Sequence, residues 1–229
     1  MKKLLFAAMM MLFATTANAQ KDVTKFLGIP IDGTKAEMIQ KLKAKGFTSK
    51  AYDSEILEGE FNGEKVNIHI VTDNNKVYRI MVSDQATRDE RQIIIRFNTL
   101  CRQFKQNSKY TSPDKDQTIP DTENIYLGIN VRKKQYEASF SQVDLTDSTM
   151  MYSMGAKAAE LLTQQFTEEE LEAKSEEEIM FEIRKISEKL VIELLDSKSV
   201  WFTIHEYLGE YYISMYYDNN YNRANGEDL

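Results

Sequence analysis

The sequence predicts an α+β fold in which antiparallel sheet carries helices packed on one face. Three observations predict it. Amphipathic segments begin with helix-capping patterns, whereas apolar and polar residues alternate in other segments. Tight-turn signals such as Asn62-Gly63 separate the alternating segments, which is typical of hairpins. The order of the segments fits one layered domain or two helix-plus-meander units.

The first unit is predicted to span residues 20–106. A short apolar strand leads to a helix that begins with the capping box Thr34 to Glu37 and ends at Gly46. Three or four antiparallel strands follow. A second helix is expected to begin with the capping box Thr87 to Glu90. Its apolar stripe, which predicts packing on a sheet, consists of Ile93, Ile94, Phe97, Leu100, Cys101 and Phe104.

Residues 107–124 are polar and contain two prolines, so they are predicted to form a loop and to be the most mobile part of the chain. The second unit is predicted to span residues 125–218. It should open with a hairpin, because apolar and polar residues alternate in 125–131 and again in 136–140.

A helical insertion is predicted within the second unit, at residues 150–197. It contains two capping boxes, Thr167 to Glu170 and Ser175 to Glu178. The Glu clusters there are interpreted as capping and solubilising residues, because the helix dipole favours negative charge in a first turn. A final hairpin turning at Leu208-Gly209 and a frayed tail at 219–229 complete the chain.

The first 19 residues are predicted to be a signal peptide. Lys2 and Lys3 precede an apolar run at 4–14, and Ala17-Asn18-Ala19 provides the small residues of a cleavage site. The apolar run is too short to span a bilayer. Because Gln20 rather than Cys follows the site, we expect an exported periplasmic or extracellular protein that is not a lipoprotein. The mature chain should have no integral membrane segment.

The charge balance disfavours nucleic acid as a partner. The chain carries 36 acidic and 29 basic side chains, and it has a net charge of −7. Without the two lysines of the signal peptide the difference is 27 minus 36, or −9, and such a chain repels phosphate backbones. The lone cysteine, Cys101, excludes an internal disulfide framework, and its place on an apolar stripe predicts a buried structural residue.

Few residues are available for catalysis or metal binding. His69 and His205 are the only histidines, and both lie in predicted strands. The chain has no phosphate loop, no nucleophile elbow and no His-Glu-x-x-His helix, so neither a metal nor a cofactor is expected. An enzyme is not expected either. A hydrolase that uses two acidic residues stays open, because the separation of two carboxylates depends on the fold.

An aromatic run in the final hairpin is the strongest candidate binding surface, since Tyr and Trp are favoured at interfaces. Its candidate binding residues are Trp201, Tyr211, Tyr212, Tyr216 and Tyr217. Alternation predicts Trp201, Thr203 and His205 on one face and Val200, Phe202 and Ile204 on the face towards the helices. One pair of tyrosines should therefore lie in the core. The alternative is that the run is ordinary strand composition.

Three segments of the sequence resemble uncharacterised secreted proteins of anaerobic gut bacteria: FLGIPIDGTKAEMIQKLKAKGF, LEGEFNGEKVNIHIVTDNNKVYRIMV and VWFTIHEYLGEYYISMYYDNNYN. The helical stretch 150–197 departs from that pattern. More remotely, a helix followed by a meander resembles the units of β-lactamase-inhibitor proteins and of small outer-membrane assembly factors. That resemblance implies a binding role rather than an enzymatic one.

The function expected from the sequence is that of a secreted or periplasmic interaction module that binds a protein or peptide of the cell envelope. One alternative is a protein of the envelope that binds a small ligand or a glycan. Another is a hydrolase that uses acidic residues. A flat aromatic patch would favour the first, a deep pocket the second, and two convergent carboxylates the third.

Overall fold

The computed structural model describes residues 22–223, so the predicted signal peptide and residues 224–229 of the predicted tail lie outside it. Helices and antiparallel sheets together confirm the α+β class. The chain divides into two compact units. A helical insertion comprises residues 144–195, and a sheet unit comprises residues 23–143 together with the chain from 196 onward.

The sheet unit contains the strands of the described chain and two α-helices. The strands are β1 (Lys25–Phe26), β2 (Ile29–Pro30), β3 (Thr48–Ser49), β4 (Leu57–Phe61), β5 (Glu64–Asp73), β6 (Lys76–Asp84), β7 (Glu137–Ser141), β8 (Ser199–Tyr207) and β9 (Glu210–Asp218). The helices are α1 (Lys35–Ala44) and α2 (Glu90–Gln106), with a π-helical turn at Leu127–Val131 and a short 3₁₀ turn at Asn220–Asn222.

Within the described chain, seven strands form one antiparallel sheet in the order β3-β4-β5-β6-β9-β8-β7, and β1 pairs separately with β2. The sheet consists of two series of strands. The first series, β3 to β6, runs from one edge to the middle, and the second series, β7 to β9, runs from the opposite edge to the middle. β6 and β9 pair from Arg79 opposite Asp218 to Ser83 opposite Ser214. The strands on either side of residues 107–124 therefore belong to one sheet, and the predicted boundary there does not separate two sheets.

One face of the sheet carries the core, and α1 and α2 pack on it. The six apolar residues predicted for the α2 stripe are all buried. The rings of Phe97 and Phe104 lie 4.9 and 5.8 Å from the ring of Phe202 on β8. A fully buried row crosses five strands and consists of Ile68, Val82, Met215, Phe202 and Ala138.

The start of the sheet unit confirms the predicted capping box and corrects the predicted first strand. The Thr34 hydroxyl accepts from the Glu37 amide, and the Glu37 carboxylate accepts from the Thr34 amide. The apolar run before it is not one extended strand. Leu27 and Gly28 both have positive φ, so β1 folds back on β2 as a tiny hairpin.

The second helix begins later than predicted. Its N-cap is Asp89, whose carboxylate accepts from the Gln92 amide at 2.7 Å, and not Thr87. The reason is an extended bridge just before it, in which Arg88 and Tyr211 exchange both backbone hydrogen bonds at 2.8 Å. Thr87 instead donates its hydroxyl to Glu210.

The strand predicted at 125–131 is wrong, because this segment is helical and includes the π-helical turn. Its alternating apolar residues also contain the four-residue spacing of a helix. The structure uses that spacing, since Ile125 is fully buried and Ile129 packs against the core, while Leu127 and Val131 are exposed. The partner segment is a strand, β7, as predicted, and it pairs with β8.

The predicted loop at 107–124 is a loop, and hydrogen bonds attach its middle to the sheet unit. The Asn98 side chain donates to the carbonyl of Ile119 and accepts from its amide, both at 2.7 Å. The Gln117 side chain makes the same pair of bonds to the backbone of Ser139, both at 2.8 Å. Since Ser139 lies on the edge strand β7, Gln117 covers backbone groups that would otherwise be free to pair with another chain.

The helical insertion consists of α3 (Ser148–Gln165), α4 (Glu168–Ala173) and α5 (Glu176–Ser197), which runs two residues into the sheet unit. Both predicted capping boxes are confirmed, at Thr167 with Glu170 and at Ser175 with Glu178. Its own small core contains Ala158, Leu162, Leu171 and Ile186.

A buried ion cluster fixes α2 to the end of β6. The Asp84 side chain is 1% exposed, and its two oxygens each lie 3.3 Å from a guanidinium nitrogen of Arg96 on α2. Arg88 contacts the same carboxylate at 3.1 Å and pairs with Glu64 at 2.7 Å. Loss of one partner of such a buried pair would leave the other charge uncompensated.

We expect Asp84→Ala to lower the free energy of unfolding by about 3–5 kcal/mol, because Arg96 would stay buried without a counter-ion. Urea denaturation followed by circular dichroism measures the loss. Glu64→Ala is the matched control. Its carboxylate is more exposed, so its expected loss is below about 1 kcal/mol. Equal losses in the two variants would contradict the proposed role of Asp84.

Candidate functional site

The side of the sheet opposite the core is the candidate functional surface. We call it the outer face and define it by Asn67, His69, Met81, Ser83, Trp201, Thr203, His205, Tyr212, Ser214 and Tyr216. Strand alternation places these residues there. The prediction for β8 is confirmed, with Val200, Phe202 and Ile204 buried in the core and the residues Trp201, Thr203 and His205 between them on the outer face.

The five aromatic candidates fall on opposite faces of the sheet. Trp201, Tyr212 and Tyr216 lie on the outer face, where each is half-buried. Tyr211 and Tyr217 are buried in the core, at 1% and 4% exposure, so the prediction that they contact a partner is not supported. Burial raises the pKa of Tyr217 well above its usual value.

Trp201 belongs to a cluster that is internally bonded. Its ring stacks on Tyr216 with centroids 3.9 Å apart, so each ring covers one face of the other. Its indole N–H donates to Asp218 at 3.0 Å. Arg79 makes two further bonds to that carboxylate, at 2.6 and 2.7 Å, and the hydrogen bonds to Asp218 raise the pKa of Arg79. The cluster is thus held rigidly, and Trp201 is part of the structure of the sheet.

An open depression of about 500 Å³ lies on the outer face. Its lining comes mainly from β5, β6, β8 and β9, and consists of Asn67, His69, Met81, Ser83, Asp84, Gln85, Thr87, His205, Tyr207, Tyr212, Ser214 and Tyr216. The hydroxyls of Ser83 and Ser214 are buried and lie 2.7 Å apart across the β6–β9 pair. Both series of strands therefore contribute to one concave site.

Both histidines of the chain line this depression. The His205 ring stacks on Tyr212 at 5.2 Å, and its Nε2 lies 3.3 Å from the hydroxyl of Tyr216. Burial lowers the pKa of His205 and, with a smaller contribution from Lys50, that of His69. Since the usual value is about 6.5, both imidazoles are neutral at pH 7 and can each donate and accept one hydrogen bond.

The charged groups of the site are already paired. Asp84 is the only carboxylate that lines the depression, and this carboxylate is already paired with Arg88 and Arg96. Within residues 22–223, no three His, Cys, Asp or Glu side chains are grouped as metal ligands. The site therefore presents neutral hydrogen-bonding groups and aromatic rings.

No helix within residues 22–223 has the length and apolar character needed to cross a bilayer.

Several residues of the depression were not predicted as site residues. Asn67, Ser83 and Ser214 carry no signal of their own in the sequence, and His69 and His205 were interpreted only as strand residues. Their alternation with apolar neighbours indicates an outward position. β5 and β6 share a sheet with β8 and β9 because β6 pairs with β9, which is a pairing between distant segments of the chain.

Cys101 lies on the opposite side of the sheet and is a structural residue. It is 5% exposed, and burial raises the pKa of its thiol to about 12. We expect a thiol reagent at pH 8 to leave the native protein unmodified, because the reactive species is the thiolate. Ellman's reagent with and without denaturant measures this. Labelling of the native chain as fast as that of the unfolded chain would contradict burial.

We expect Trp201→Ala to destabilise the protein by about 2–4 kcal/mol, somewhat less than the loss of a fully buried aromatic ring, because Trp201 is half-buried. Trp201→Phe is the matched variant: it keeps a stacking ring but removes the donor to Asp218, so the expected loss is about 1 kcal/mol. Thermal and urea unfolding measure both. An unchanged melting temperature in Trp201→Ala would show that the cluster does not stabilise the sheet.

The chain matches no protein-family model, no curated protein and no solved structure. The resemblance to secreted proteins of gut bacteria and to β-lactamase-inhibitor proteins therefore stays a prediction.

Proposed function

We propose that this protein is a non-catalytic binding module of the cell envelope that captures a protein or peptide partner on its outer face. One observation carries the proposal. The outer face groups half-buried Trp, Tyr, His and Met side chains around an open depression, on strands whose other face is already used by the core. Export to the envelope is proposed from the signal-peptide pattern of the sequence.

The composition and rigidity of the outer face support binding of a protein surface. Trp, Tyr, Met and Arg are the residue types enriched at the centres of protein interfaces. Here the mutual contacts of Trp201, Tyr216 and Arg79 make the sheet rigid beside the depression, so little conformational freedom would be lost on binding there. The single carboxylate of the depression is paired with two arginines, which does not favour the acidic hydrolase.

A small ligand or a glycan is the second candidate, although the depression is open and not the deep pocket that would favour it most. What supports it is the volume of about 500 Å³, which falls within the range of small-molecule sites.

Site-specific crosslinking tests the proposal. A photoreactive phenylalanine replaces Tyr212 on the outer face or, as a matched control, Tyr126, which is 52% exposed and lies outside that face. The mature chain is irradiated in native envelope extract, and crosslinked proteins are identified by mass spectrometry. We expect the Tyr212 probe to capture one discrete protein that the Tyr126 probe does not capture.

Competition with unlabelled protein completes the test. Unmodified chain should abolish the crosslink, and the His205→Ala chain should compete at least about tenfold less well, as expected for a residue at an interface centre. Equal crosslinking from both positions, or from neither, would count against the outer face as the binding surface.

A further inference from the structure

We propose that the depression on the outer face is a binding site for an uncharged saccharide. The inference rests on the second candidate of the proposed function, a small ligand or a glycan, and names its chemical class. It follows from four features of the depression: its lack of free charge, its unused hydrogen-bonding groups, its aromatic rings and its position within the sheet.

The lining is almost free of formal charge. Of its twelve residues only Asp84 is charged when the imidazoles are neutral, whereas 28% of the whole chain is charged. The negative charge of Asp84 is already compensated by its ion pairs with Arg88 and Arg96. A charged ligand would lose water without gaining a counter-ion here, which is costly. The ligand that fits is therefore neutral.

Polar groups with unused hydrogen-bonding capacity surround the depression. Gln85 donates its amide to Asn67 Oδ1 at 2.9 Å, and this leaves Asn67 Nδ2 and Gln85 Oε1 without a protein partner among residues 22–223. In the same part of the chain, His205 Nδ1, both His69 nitrogens and the Tyr212 hydroxyl also have none. Donors and acceptors thus lie side by side, which suits a ligand whose every hydroxyl both donates and accepts.

Aromatic rings provide the complementary apolar surface. Tyr212 stacks on His205, and Tyr207 at the rim is 61% exposed. A sugar ring has an apolar face of C–H groups as well as its rim of hydroxyls. Flat rings beside amides and imidazoles match both parts of such a ligand.

The position of the depression distinguishes a saccharide from an extended peptide. An extended peptide gains affinity by pairing its backbone with a free strand edge. β5, β6 and β9 each have a strand on both sides, and β8 is paired with β7 as far as Thr203, whereas the end of β8 that carries His205 and Tyr207 lies beyond that pairing. On the paired part of the sheet, around Ser83 and Ser214, recognition must come from side chains, which is how a saccharide is bound.

Titration of the mature chain with defined oligosaccharides tests the proposal. The probes are the neutral trisaccharides maltotriose, cellotriose, mannotriose, xylotriose and N,N′,N″-triacetylchitotriose, with trigalacturonic acid as a charged comparison. Isothermal titration calorimetry and saturation-transfer NMR measure binding. We expect at least one neutral trisaccharide to bind saturably with Kd below about 5 mM, and the charged one to bind at least about tenfold more weakly.

Variants locate the binding site. Tyr212→Ala and Asn67→Ala should each weaken the binding of that trisaccharide at least about tenfold, whereas Tyr126→Ala should leave it unchanged. Near-ultraviolet circular dichroism and thermal melting show that each variant is folded, and Tyr212→Phe provides a milder change if Tyr212→Ala is not. Tyr212→Phe keeps the stacking ring, so it should lose only part of the affinity.

Three results would overturn the proposal: no neutral trisaccharide binds, the charged one binds equally well, or binding is insensitive to every change at Tyr212 and Asn67. Binding of short peptides at Tyr212, without any saccharide, would overturn it in favour of a peptide site. Failure here is separate from failure of the proposed function, because the crosslinking experiment detects a protein partner without reference to any saccharide.

Discussion

The pairing of β6 with β9 joins two series of strands from distant parts of the chain into one sheet. It aligns Ile80 and Val82 with Tyr217 and Met215 on the core face. On the other face the same register sets Arg79 beside Asp218 and Ser83 beside Ser214. Residues from both series form the core, the ion pair of Arg79 with Asp218, and the depression. Each of these three features therefore depends on this one register.

The outer face separates residues that stabilise the sheet from residues that are free to bind. Trp201, Tyr216 and Arg79 satisfy one another and the buried carboxylate of Asp218. Tyr212 and His205 stack on each other but keep hydrogen-bonding atoms that no residue in the described chain occupies. A Trp or Tyr in a strand is thus weak grounds for a binding role by itself, and the number of contacts it already makes is a better guide.

Local signals account for what could be predicted from the sequence. The capping boxes at Thr34, Thr167 and Ser175, and the turn at Asn62-Gly63 with positive φ at both residues, depend on neighbours a few positions away. The segment 125–131 was mispredicted because its apolar residues fit a strand and a helical turn equally well, and tertiary packing decided between them. The site was incompletely predicted for a related reason. Asn67 and Ser83 join His205 and Tyr212 only through cross-strand pairing, which no local pattern encodes.

The helical insertion leaves the sheet between two strands that are themselves paired. β7 and β8 remain hydrogen-bonded up to Ser141 opposite Ser199, and the Gln142 amide still donates to the Lys198 carbonyl at 2.8 Å. The insertion of more than fifty residues therefore connects two neighbouring, paired strand ends, as the loop of a hairpin does. Closing a loop costs entropy that grows only slowly with its length. The length of the insertion can consequently change without disturbing the register of any strand, so the outer face does not depend on how many residues the insertion contains.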